Sequence, residues 1–156
     1  MQILICKKRV RTARPETEWK VCPNRFYLYL YVKRNDMNKE TLVMGASENV
    51  QRYSNMAIRK LKQFGHDVKA YGLRKGEVDG VEIVTKLLPY EKLDTVTLYL
   101  NPTNQQPYYD YILGLKPKRV IFNPGTENPD FYEKLTENGI GFEEACTLVL
   151  LNTKQY

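Results

Sequence analysis

Gly45-Ala46-Ser47 follows the apolar run Thr41 to Met44 and precedes a helical stripe that begins near Ser54. A turn of small residues between a strand and a helix leaves backbone N–H groups, and the positive end of the helix, free to receive phosphate oxygens. Asn49 lies in the same stretch, and Arg52 adds a cation at its mouth. From Gly45 to Tyr53 the turn runs about nine residues, longer than a tight dinucleotide turn, and it holds one glycine where a dinucleotide fingerprint has three. The two absent glycines are those that let backbone approach a pyrophosphate and let the helix pack closely.

The next strand ends at Tyr71-Gly72-Leu73, which offers no carboxylate to a ribose 2′-hydroxyl, so NAD fits poorly. Arg74 and Lys75 follow, and two cations there suit an extra phosphate on an adenosine ribose, as in NADP or coenzyme A. The bland alternative for this pair is a solvated loop. Cys146 follows the last strand on the ligand side of the sheet, where it is either a packing cysteine or a thiol within reach of a ligand thiol. The only histidine, His66, sits in a Gly-His-Asp turn and supplies neither a triad nor a metal site. Glu143 and Glu144 adjoin a strand end, as a carboxylate pair or as solvent-facing side chains. Tyr108, Tyr109 and Tyr111 lie at helical spacing without interleaved Lys or Arg, which favours packing over base stacking.

The elements that must position these residues alternate. Strands are expected at Thr41 to Met44, Asp67 to Tyr71, Gly80 to Val84, Thr95 to Leu100, Arg119 to Phe122 and Gly141 to Glu144. Helices are expected at Ser54 to Phe64, with Ala57, Ile58, Leu61 and Phe64 on one face, from Asn101 through about Leu115, and at Pro129 to Asn138. Gly65 and Gly139 close the first and last of them. Alternation of this kind predicts an α/β fold, a doubly wound, mostly parallel sheet of order 3-2-1-4-5-6 with helices on both faces. In that order the Gly45-Ala46-Ser47 turn faces Asn101-Pro102 across a crevice.

Composition narrows the classes. Of 156 residues 42% are hydrophobic, enough for one core. The formal charge of +6 is local: residues 1–36 hold nine of the 24 Lys/Arg and three of the 18 Asp/Glu, leaving fifteen of each sign for residues 37–156. A general nucleic-acid surface is therefore not expected. Residues 1–36 read as a basic extension containing a strand-like run, Phe26 to Val32, either disordered or foreign to the native fold, with Met37 as the start of the folded unit; the alternative is a genuine extension that adds an edge strand. Three cysteines without a C-x-x-C pair argue against a disulfide framework and a zinc site, and fit a cytoplasmic protein. No apolar run approaches the roughly 20 residues that span a bilayer.

GASENVQRYSNMAIRKLKQFGHDVKAYG, followed in order by DGVEIV, DTVTLYLNP, KRVIFNPGTEN and EEACT, resembles the small CoA-binding Rossmann-domain proteins, a family similar to the amino-terminal domain of the succinyl-CoA synthetase α-subunit. The resemblance covers essentially residues 40–150 and stops at Met37. It implies that Gly45, Ala46, Ser47 and Asn49 line a diphosphate with Arg52 and Ser54 close to it. It further implies that Arg74 and Lys75 approach the adenosine phosphate and that Leu100, Asn101 and Pro102 flank the pantetheine. Two departures stand out: Tyr53 precedes Ser54 where many members have proline, and Thr147 follows Cys146 where many have Cys-Pro. No ligase activity is implied, because the chain ends near the point where the ligases begin the domain with their phosphorylated histidine. The expectation is a module that binds coenzyme A or an acyl-CoA, with no catalytic residue assigned. The alternatives are an NADP-dependent reductase and a nucleic-acid or scaffold protein acting through residues 1–36.

Overall fold

The four-residue run TLVM forms strand β1 (Thr41–Met44), and all four side chains are buried. A strand with no polar face must be covered on both sides, which is the environment of a parallel sheet with helices above and below. The computed structural model, which describes residues 38–156, has that architecture. The basic extension, its strand-like run and the boundary placed at Met37 lie outside the described residues.

The remaining strands are β2 (Val68–Tyr71), β3 (Gly76–Val78), β4 (Val81–Val84), β5 (Thr95–Leu98), β6 (Arg119–Phe122) and β7 (Gly141–Glu144), in the order β3-β4-β2-β1-β5-β6-β7. Six of them are parallel and follow the expected 3-2-1-4-5-6, with Leu42 beside Lys69 on one flank and Val96 on the other. The seventh corrects the expectation. β3 is an antiparallel edge strand joined to β4 by Asp79-Gly80, both at positive φ (52° and 77°). Asp-Gly in that conformation makes the two-residue turn whose twist matches a hairpin.

The helices are α1 (Tyr53–Gln63), α2 (Pro102–Gln105), α3 (Tyr109–Leu115), α4 (Pro129–Glu137) and α5 (Thr147–Asn152). The single helix expected through Leu115 is in fact α2, a 3-10 turn (Gln106–Tyr108) and α3. Pro107 causes the break, since it has no N–H to donate and its ring crowds the preceding turn. Helix α5 was not expected. Leu42, Met44, Val96, Leu98 and Phe122 pack on Ile112, Phe131 and Leu135 of α3 and α4. Val43, Ala70 and Ile83, pointing the other way, pack on Ile58, Leu61 and Leu151 of α1 and α5. Each fully buried Val, Leu, Ile, Met or Phe among them stabilises the fold by about 1.5–3 kcal/mol relative to exposure. Among the described residues no helix is long and apolar enough to cross a membrane.

Candidate functional site

The loop from Gly45 to Arg52 leaves the carboxyl end of β1 and is held from three sides. Gly45 has φ +91°, and a Cβ there would lie 3.1 Å from the Tyr99 carbonyl carbon and from Leu100 Cδ2, so the loop begins in contact with the exit of β5. The N–H groups of Gly45 and Ala46 both donate to the Tyr71 carbonyl, at 3.0 and 2.8 Å. Gly72 then passes so close that a Cβ on it would sit 2.4 Å from the Ala46 carbonyl oxygen. Farther along, Glu48 Oε1 accepts from the Glu77 N–H of β3 at 3.1 Å and fills the space where a side chain at Gly76 would be.

The loop also folds on itself. Ser47 Oγ accepts from the Asn49 N–H (3.2 Å), and Asn49 Oδ1 accepts from the Gln51 N–H (3.0 Å). Beneath it Asn55, 1% exposed, donates Nδ2 to the Ser47 and Glu48 carbonyls and accepts from Arg59 Nε. Arg52 takes the N-cap position of α1 in extended conformation and supplies no side-chain cap. The Tyr53 and Ser54 N–H groups find no acceptor among the described residues. They are two of the donors that every helix start leaves open, at its positive end.

Arg74 and Lys75 are exposed in the connection from β2 to β3, and neither has an ionic partner among the described residues. Lys75 borders a recess of about 220 Å³ with Glu82, Val84, Thr85, Lys86 and Leu88. At the exit of β5, Asn101 Oδ1 caps α2 through the Asn104 N–H (2.9 Å), and Pro102 opens that helix. Gln105, fully buried, donates to the Leu100 and Thr126 carbonyls at 2.9 and 2.7 Å and accepts from Asn128. Tyr71, at the tip of β2, donates to Tyr108 Oη at 3.1 Å; burial first, then that bond, pushes its phenol up to about 12, so it keeps its proton.

A second cavity, of about 230 Å³, opens between the amino ends of α1 and α5 and is lined by Tyr53, Tyr99, Asn123, Pro124, Cys146 and Leu148. Asn123 is its buried corner: Nδ2 donates to Thr97 Oγ1 (2.7 Å) and the Leu98 carbonyl (2.9 Å), and Oδ1 accepts from the Thr147 N–H (2.9 Å). Thr97 and Thr147 share a 2.7 Å hydroxyl contact. The Tyr99 hydroxyl is buried beside them without a hydrogen bond of proper geometry, and burial pushes it well above the usual phenol range.

A sequence profile described as CoA binding domain matches residues 39–152. The chain belongs to the CoA-binding domain family. No curated protein matches it. Among solved structures, an uncharacterized protein superposes with a TM-score of 0.75 at 50% identity, covering 76% of this chain and 98% of its own. A Thermus thermophilus protein (TM-score 0.68, 23% identity, 85% and 99% covered) and one from Pyrococcus horikoshii (0.64, 21%, 94% and 98%) share the fold.

In this CoA-binding domain Gly45 and Leu100 meet as the crossover order requires, while Gly45 and Ala46 spend their amides on Tyr71 and so shape the loop. His66 lies at the opposite, amino-terminal end of the strands, just before β2, accepting at Nδ1 from the Lys39 N–H (3.2 Å) and packed on Tyr156. Glu143 pairs with Arg119 at 2.6 Å while Glu144 is exposed; as neighbours in a strand they point to opposite faces, so they do not act as a carboxylate pair. Tyr108, Tyr109 and Tyr111 pack against the core. Among the described residues no group of three or more His, Cys, Asp or Glu could hold a metal ion. Sequence reasoning missed Asn55, Lys86, Gln105 and Asn123. For the two buried asparagines and Gln105 the local signal is weak, since their partners lie 4 to 26 residues away and most are more than 20 away.

Proposed function

We propose that the crevice between the β1 loop and the exit of β5 binds coenzyme A or an acyl-CoA. The observation that supports this reading is the open amino end of α1, with two unpaired N–H groups, reached by a loop that carries Ser47 and an exposed Arg52 and that starts at Gly45, packed close to Tyr99 and Leu100 at the exit of β5. The diphosphate is received there by Ser47, Asn49, Arg52 and the Tyr53 and Ser54 amides, on a backbone shaped by Gly45 and Ala46. Arg74 and Lys75, with Lys86 near Lys75, meet the ribose phosphate, and the pantetheine runs past Leu100, Asn101 and Pro102 toward Cys146.

The chemistry of these residues fits the group: cations at one end, uncharged backbone donors in the middle and a thiol in an apolar cavity at the other. Cys146 is then placed to exchange with oxidised coenzyme A, its thiolate attacking one disulfide sulfur and displacing one coenzyme A as thiolate. No residue is assigned a catalytic role. The test is thermal unfolding and calorimetry with coenzyme A, dephospho-coenzyme A and NADPH. Coenzyme A is expected to stabilise the protein, dephospho-coenzyme A several-fold less tightly, with that difference abolished by Arg74→Ala/Lys75→Ala. Binding and turnover of NADPH without binding of coenzyme A would replace this reading with the reductase.

A further inference from the structure

Resting on the proposed coenzyme A site, we infer that the cavity at Cys146 receives the acyl chain of a thioester, and that the natural ligand carries an apolar acyl group of medium length. The cavity is lined by Tyr99, the residue before Leu100, and by Cys146, the residue toward which the proposed pantetheine path runs. None of its six lining residues is Lys, Arg, Asp, Glu or His. Asn123 turns both of its side-chain groups inward to Thr97, Leu98 and Thr147, and the Tyr99 hydroxyl is buried behind the wall. What remains facing the space is mostly apolar surface, contributed by Tyr53, Tyr99, Pro124 and Leu148 with Cys146. A surface of that kind rewards methylene groups and penalises a charged chain end, which would lose its water without gaining a partner.

Size sets the length. A cavity of about 230 Å³, at roughly 30 Å³ for each water-sized group, holds about seven or eight non-hydrogen atoms. That is a thioester carbonyl with a chain of about five or six carbons. Each methylene withdrawn from water strengthens binding about fourfold.

The experiment is calorimetric titration of the protein with free coenzyme A and with acetyl-, butyryl-, hexanoyl- and succinyl-CoA. Hexanoyl-CoA is expected to bind at least about tenfold tighter than acetyl-CoA, a fraction of the full methylene gain because the cavity is open at its mouth. Butyryl-CoA should outbind succinyl-CoA, which has the same four-carbon length and a terminal carboxylate. Leu148→Trp narrows the cavity and should shrink the hexanoyl-to-acetyl ratio toward one, with its unliganded melting temperature recording whether α5 is intact. Affinity that is the same for free coenzyme A and every acyl form overturns the acyl inference and leaves the coenzyme A site standing. A protein that binds none of the series overturns both.

Discussion

Gly72→Ala isolates the contact that holds the β1 loop. The added Cβ would stand 2.4 Å from the Ala46 carbonyl oxygen and 2.9 Å from Ile83 Cγ2. Since carbon and oxygen settle at about 3.3 Å or more, the Ala46 carbonyl must retreat by roughly 0.9 Å. Gly72 is not at positive φ, so the cost is steric rather than conformational. Forcing one carbon into a site closed by backbone costs about 1–3 kcal/mol, a fall in melting temperature of roughly 4 to 12 °C at about 4 °C per kcal/mol. The retreating carbonyl carries with it the Gly45 and Ala46 amides bonded to Tyr71, so coenzyme A affinity should drop at least about tenfold as donor geometry is lost. The control is Gly114→Ala in α3, where a Cβ meets nothing within 4 Å; there the same methyl should stabilise by about 0.5–1 kcal/mol through the unfolded chain. Differential scanning calorimetry and ligand titration of both variants make the comparison. A Gly72→Ala protein that melts with the wild type and binds equally well would refute the close approach of β2 and the β1 loop.

Three further outcomes follow from the same geometry. Asn123→Ala removes three hydrogen bonds and strands the buried Thr147 N–H, so urea unfolding should show a loss of about 2–4 kcal/mol, and a loss under 1 kcal/mol would deny the network. His66 is held below its ordinary value by burial, then by Lys39 and Arg119, against Asp94 and Asp67, and the Lys39 N–H it accepts requires the neutral ring. The unfolded chain therefore binds the extra proton: this contribution is whole above about pH 6.5, is lost as pH falls through the depressed folded value, and levels off below it. Urea midpoints from pH 7.5 to 5 should fall less steeply in His66→Gln, and identical slopes would contradict the assignment. Oxidised coenzyme A should give a mass adduct on the wild type that is absent from Cys146→Ser; an adduct that survives the substitution excludes Cys146 as the reacting thiol.

Much of this was legible along the chain because it depends on near neighbours. The apolar runs at Leu42, Val96 and Val120, the helix start at Asn101, and Gly65 and Gly139 at helix ends are decided within a few residues, where backbone sterics and side-chain periodicity act. Two further local signals decide the departures from simple alternation: Asp79-Gly80 marks a hairpin, and Pro107 interrupts a helical pattern.

The site itself follows a different rule. Which amides in the β1 loop stay open depends on Tyr71 already occupying those of Gly45 and Ala46. Whether Cys146 is a packing residue or a cavity wall depends on Asn123, whose side chain ties the start of α5 to β5 across 24 to 26 residues of sequence. The alternation of strands and helices, and with it the parallel core of the sheet, is therefore a property of the chain's periodicity, whereas the antiparallel edge strand β3 is not. The shape of the crevice is a property of contacts between segments that no periodicity relates, because packing and hydrogen-bond satisfaction act on neighbours in space, and only folding makes Gly72 and Ala46, or Asn123 and Thr147, neighbours.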